Sequence, residues 1–239
     1  MKRRLSLITA TLAALAALIV SGCTSLTAPA PLFTAADQVG PPALSEGIWI
    51  GVDEHCPARN ATHRNGRFPR GCEAFEIRRG DDGLWRITGR PDLMTQPRGQ
   101  EGENNTYVLA LAPVSEHTAP EAYAAYYVAE VREEDGSVVY AGMVPVGTMP
   151  ATSFVTVSID CSTVLRDGPI DGITATYGDR RTEVDPGNGD APTVRTERVL
   201  NGCIAASHAA VREAARRALV EGASGLLEQA ARFVYVRPH

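Results

Sequence analysis

At 239 residues, 44% of them hydrophobic and with a formal charge of −5, the chain has the composition of a globular protein with room for one domain of good size or two small ones. The acidic balance argues against nucleic acid as a partner, because phosphates call for a basic face. Lys2 is the only lysine, which leaves the rest of the chain without the amine that a Schiff base or a P-loop requires.

The chain begins with the cationic run Met1-Lys2-Arg3-Arg4, continues through an apolar stretch from Leu5 to Val20 interrupted by Ser6, Thr9 and Thr11, and reaches Val20-Ser21-Gly22-Cys23. A cationic start, an apolar middle and small residues at the end are the parts of a signal peptide, and the apolar part is shorter than the ~20 residues of a membrane-spanning helix. Val20-Ser21-Gly22-Cys23 resembles the lipobox of bacterial lipoprotein precursors. That resemblance implies export, a diacylglycerol on the Cys23 sulfur, cleavage before Cys23 and acylation of the new amine, with residues 1–22 as signal peptide and the membrane as partner through the lipid. Two or more acyl chains anchor stably, at ~0.8 kcal/mol per buried methylene. Thr24, where an aspartate often marks inner-membrane retention in this family, implies a place in the cell envelope at the outer membrane. Loss of Lys2, Arg3 and Arg4 moves the formal charge from −5 to −8, which argues against docking on anionic lipid by charge alone.

Residues 23–45 are rich in Ala, Pro, Ser and Thr without an apolar period and are expected to be a tether, semi-extended at ~3.1 Å per residue. The alternative is that they pack along the body, with Leu32-Phe33 as the docking point. The body, 46–239, opens on Ile48, Ile50 and Val52 alternating with Trp49 and Asp53, the period of a half-buried strand. The next segment, from His55 to Cys72, carries Arg59, Arg64, Arg67 and Arg70, the one local basic patch. Arginine clusters suit phosphate or carboxylate through bidentate hydrogen bonds, so these four are the candidate anion or glycan site, weighed against an ordinary surface loop. Gly47, Trp49, Cys56-Pro57, Phe68-Pro69 and Cys72 together are similar, in a general way, to small outer-membrane lipoproteins, a likeness that implies no activity.

Phe75 and Ile77, the turn-forming run Arg79-Gly80-Asp81-Asp82-Gly83, and Trp85 and Ile87 predict a hairpin. Thr106 to Ala112 is apolar on both faces and is expected to be a central strand. Thr118, Pro120 and Glu121 offer a helix start, yet Tyr123, Tyr126, Tyr127, Val128 and Val131, and Ser137 to Val146, are strand formers around Glu133-Glu134-Asp135-Gly136, and the reading favours a hairpin. Val155, Val157, Ile159 and Cys161 alternate with polar residues, which places Cys161 on the core side of a strand. Gly178 to Pro192 is polar and is expected to be a loop. After a strand from Thr193 to Leu200, the stripe Ile204, His208, Val211, Ala215 and Leu219 predicts a helix stopped by Gly222, and Phe233 to Val236 a last short strand. Strands first and one main C-terminal helix suggest an α+β fold built on an antiparallel sheet or small barrel.

Cys56, Cys72, Cys161 and Cys203 remain beside Cys23. An even number in an exported chain points to disulfides, and pairing Cys56 with Cys72 and Cys161 with Cys203 closes one contiguous segment each. A metal site from His55, Cys56, His63 and Cys72 lacks the two close pairs typical of zinc, and no cofactor or metal is expected. The chain has no Gly-x-Ser-x-Gly elbow; Ser224 reads as a helix-break residue, His208 as a core histidine, and Asp81-Asp82 and Glu133 to Asp135 as solvated turns. Asp185, Asn188 and Asp190 do not follow the spacing of a calcium loop. The expectation is a non-enzymatic envelope lipoprotein that binds an envelope protein or glycan. The alternative is a periplasmic ligand-binding or enzymatic domain whose site is assembled from distant residues.

Overall fold

The structure, a computed structural model, describes residues 24–38, 44–53, 56–58, 67–69, 72–95, 106–114, 126–133, 136–184, 193–221 and 231–238. Its strands are β1 (Leu26–Ala28), β2 (Gly47–Val52), β3 (Ala74–Arg79), β4 (Trp85–Gly89), β5 (Thr106–Pro113), β6 (Tyr127–Arg132), β7 (Val138–Val146), β8 (Ser153–Ser158), β9 (Ile173–Val184), β10 (Thr193–Ala205) and β11 (Ala231–Arg237). Two α-helices, α1 (Cys161–Val164) and α2 (His208–Glu221), lie between β8 and β11.

Eight strands close on themselves. β2 through β8 pair antiparallel in chain order, and β11 pairs antiparallel with both β8 and β2. Closure leaves none of these eight with an unpaired edge. The expected α+β class is therefore corrected: the fold is an antiparallel, eight-stranded β-barrel, and α2 is an attachment to its outer wall rather than a second layer.

Period two sorts the side chains. One buried cluster draws on all eight barrel strands, including Trp49, Phe75, Trp85, Leu109, Met143 and Phe233, and so fills the lumen. Phe154 stacks on Phe233 at 4.7 Å between ring centroids, and Trp49 lies 5.1 Å from Phe154. The buried indole N–H groups are satisfied: Trp49 donates to the Ser45 carbonyl at 2.9 Å and Trp85 to Gln38 Oε1 at 3.1 Å. The opposite parity faces outward and is covered twice. Ile48, Ile50 and Ala74 lie beneath Cys56, Phe68 and Cys72, while Ala110, Ala112, Val128 and Val144 share a cluster with Val211, Ala214, Ala215 and Leu219 of α2. Both faces of β2 are thus apolar and buried.

Two glycines permit close approaches. Gly142 on β7 faces Leu219 of α2, where an added Cβ would sit 2.8 Å from the leucine methyl. At the β2–β11 seam, Gly47 has φ +145° and a Cβ there would lie 2.3 Å from the Arg237 carbonyl oxygen.

Further expectations change. Cys161 does not lie on a strand but opens α1, which Asp160 caps by accepting from Thr163 N–H at 2.9 Å. Ile204 is in β10, and the helix begins at His208 because Gly202 to Ala205 are held between β9 and β1. Gly178 to Val184 is strand rather than loop; residues 185–192 lie outside the described residues. β9 and β10 form a long hairpin whose outer part is exposed on both faces, so its polar side chains are solvated without losing the ladder. Part of the expected tether is packed: Leu26 and Phe33 are fully buried, and β1 pairs with β7 and, in parallel, with β10.

Candidate functional site

Cys23 lies outside the described residues, but Thr24 beside it is held firmly. The Thr24 carbonyl accepts from Cys161 N–H at 2.8 Å, its hydroxyl donates to the Asp160 carboxylate, the Ser25 carbonyl accepts from Cys203 N–H at 3.3 Å, and Leu26 N–H donates to the Ile159 carbonyl at 3.3 Å. Cys161 and Cys203 are bonded to each other with Cα atoms 5.9 Å apart, so one covalent staple joins the two segments that receive the N-terminal strand. Burial pushes the Asp160 carboxyl up, but hydrogen bonds from Ser162, Thr24 and Thr163 outweigh it and hold the group below its ordinary range.

Downstream, the same strand is held by Glu130, whose side chain is 0% exposed. Its carboxylate accepts from Leu32 N–H at 2.6 Å, Phe33 N–H at 2.9 Å, the Tyr140 hydroxyl at 3.0 Å and Arg132 Nε at 2.9 Å. Oε2 takes three of these donors and Oε1 takes Arg132, so neither oxygen of the buried carboxyl group is left without a partner. Burial, aided by the Glu130 charge, pushes the Tyr140 hydroxyl far above its usual range, so it remains a donor. Phe33 packs against Tyr140 and His208, with the Arg212 guanidinium 5.5 Å from its ring. His208 is exposed and reaches the Leu32 carbonyl, so it is a strap contact rather than a core histidine.

Of the candidate anion site, Arg67 is described and exposed; Arg59, Arg64 and Arg70 lie outside the described residues, as do His55 and His63. The pairing Cys56–Cys72 is present, with Cα atoms 4.7 Å apart, so neither sulfur is available to a metal. Next to this segment the barrel wall carries an open cleft of about 390 Å³ lined by Ile48, Glu76, Arg78, Arg90, Leu93, Arg237 and Pro238. Phe68 N–H donates to the Leu93 carbonyl at 2.6 Å, which ties the Arg67 loop to the cleft's rim. Arg78 pairs with Glu76, and Arg90 bridges Glu76 at 3.0 Å and Asp92 at 2.9 Å. Three guanidinium groups around two carboxylates leave a modest positive excess suited to a carboxylate or phosphate.

Sequence reading missed these three arginines because they come from β3, the turn after β4 and β11, which only the barrel brings together. Glu130 had a signal: a lone carboxylate within the apolar run Tyr127 to Val131. Asp185, Asn188, Asp190 and Ser224 lie outside the described residues. Among the described residues there is no cluster of three potential metal ligands, and no helix is long and apolar enough to cross a membrane. No family model matches the chain, and no curated protein or solved structure is similar to it.

Proposed function

We propose that the chain is a lipoprotein of the bacterial cell envelope, anchored in the outer membrane through acylated Cys23, whose barrel is a binding or assembly module rather than a catalyst. The observation that carries the anchor is Val20-Ser21-Gly22-Cys23 set directly before Thr24, a half-buried residue of the folded body. Two formed disulfides agree with an oxidising, exported setting. The test is expression of the full chain in a two-membrane bacterium. The expected result is an N-terminal peptide beginning at an acylated Cys23, with detergent-dependent extraction that Cys23→Ala abolishes. Protein whose residues 1–22 are retained, or whose Cys23 carries no acyl mass, would remove the reading.

A ligand-binding role is favoured by the cleft at Arg78, Arg90 and Arg237 beside Arg67. It predicts that acidic glycan or phosphate-bearing envelope fractions bind the purified body and that Arg237→Ala weakens them. Equal binding by the variant would exclude the cleft.

A further inference from the structure

The parallel register of β1 and β10 sets Leu26 opposite Cys203 and Thr27 opposite Ile204. Going back from Leu26 towards Cys23 therefore runs alongside β10 towards Leu200 and the outer part of the β9–β10 hairpin. One peptide unit, 3.8 Å between Cα atoms, separates Cys23 from the pinned Thr24. The outer hairpin, Tyr177 to Val184 paired with Thr193 to Leu200, continues for eight residues per strand, about 26 Å at ~3.3 Å each. A two-stranded ribbon is marginal alone in water, yet among the described residues this stretch pairs only with itself.

Its two faces differ. The register places Tyr177, Asp179, Arg181 and Glu183 of β9 and Val194 and Arg198 of β10 on one face; Tyr177 is 55% and Val194 60% exposed, and Arg198 lies over the Tyr177 ring at 4.9 Å. The other face carries Arg180, Thr182, Arg195 and Glu197. The two arginines and two carboxylates of the Tyr177 face leave it without net charge, and its exposed tyrosine and valine suit the headgroup layer, where an aromatic ring meets the apolar boundary.

We propose that the mature protein has no free tether and is held with the surface around Thr24 and the Cys161–Cys203 bridge at the bilayer, the Tyr177 and Val194 face of the hairpin resting on phospholipid headgroups. This rests on the lipoprotein reading of Cys23 and adds an orientation and a contact surface to it. The anchor is hydrophobic and the contact face carries no net charge, so the contact does not depend on the protein's overall charge.

The test uses full-length protein, processed in a bacterium, checked by intact mass for the acyl group and reconstituted in phosphatidylethanolamine–phosphatidylglycerol vesicles containing brominated lipid. Tryptophan is introduced singly as Tyr177→Trp, Val194→Trp and, as control, Arg78→Trp on β3, which stands four strands from β7 in either direction round the barrel. Tryptophans 5–10 Å into the headgroup boundary are expected to be quenched about twofold more than the control, and a flexible insertion between Cys23 and Thr24 is expected to remove the difference without releasing the protein. Acylated protein with equal quenching at all three positions, or with hairpin tryptophans whose accessibility to aqueous iodide the vesicles leave unchanged, would overturn the orientation alone. Absence of the acyl mass would overturn the lipoprotein reading and the orientation with it.

Discussion

Glu130 ties the N-terminal strap to the barrel wall at Leu32 and Phe33. It is fully buried and makes four polar contacts, two of them to the backbone of the N-terminal strap. Glu130→Ala would leave those N–H groups and the Tyr140 hydroxyl without an acceptor and Arg132 with the Phe33 carbonyl alone, and breaking such a set costs about 3 kcal/mol. Urea unfolding should show that loss, and cleavage after residues 28–38 by a protease should accelerate because the strap is released. Unchanged proteolysis would mean that Phe33 burial and the β1 pairings hold the strap without Glu130. A second carboxylate gives a pH signature. Glu213 accepts two hydrogen bonds from Arg216 and one from Arg217, which in turn donates to the Val164 and Gly168 carbonyls, tying α2 to α1. The Arg216 hydrogen bonds hold its carboxyl at about 2, against an ordinary 4.5. A folded pKa below the unfolded one contributes stability that is fully present above pH 4.5 and is lost as pH falls through about 2. The stability difference between wild type and Glu213→Gln should accordingly shrink across that window and be constant above it. A difference independent of pH would show that the pair contributes by packing.

At the scale of elements, α2 lies against the barrel because β7 has no side chain at Gly142. A Cβ at 2.8 Å from the Leu219 methyl can be absorbed by a leucine rotamer, but a branched side chain cannot. Gly142→Val is expected to cost about 1–3 kcal/mol through overpacking and to lower the helical signal on heating before the barrel melts. Coincident transitions would instead make helix and barrel one cooperative unit. The Cys161–Cys203 bridge closes a segment of 42 residues, and replacing both cysteines by alanine should remove about 4 kcal/mol on the chain-entropy account, measured as a fall in the urea midpoint. Alternation of apolar and polar residues made β2, β3, β4 and β8 legible in the sequence, and the Arg79 to Gly83 turn and both cysteine pairings were legible as well. The β9–β10 hairpin was less legible. Gly178 to Val184 is polar on both faces, and a strand that buries neither face leaves no hydrophobic period to read. The strap failed for the opposite reason: its proline- and alanine-rich composition is that of a linker, and distant groups, among them Glu130, Asp160, Cys203 and the edge of β7, make it part of the body.

For the whole molecule, the decisive element is the last one. The sequence order of strands and helix suggested an α+β layering, because nothing local in Phe233 to Val236 says that this segment returns across an insertion of more than seventy residues to join β8 to β2. Closure is a long-range event, and its cost in chain entropy is met only when the lumen is sealed. A chain ending at Ala230 would leave β2 and β8 as open edges and uncover Trp49, Phe75 and Phe154, which Phe233 and Tyr235 contact. Such edges pair with other chains. The truncated protein is therefore expected to lose the near-ultraviolet circular dichroism of its packed tryptophans, to bind a hydrophobic dye and to elute as aggregates, even with both disulfides formed. A synthetic peptide spanning residues 231–239, added during refolding, should restore the dichroism by supplying the eighth strand in trans. If the truncated chain keeps a cooperative thermal transition and native dichroism without the peptide, seven strands suffice and β11 is a lid on a stable open sheet rather than the closure of a barrel.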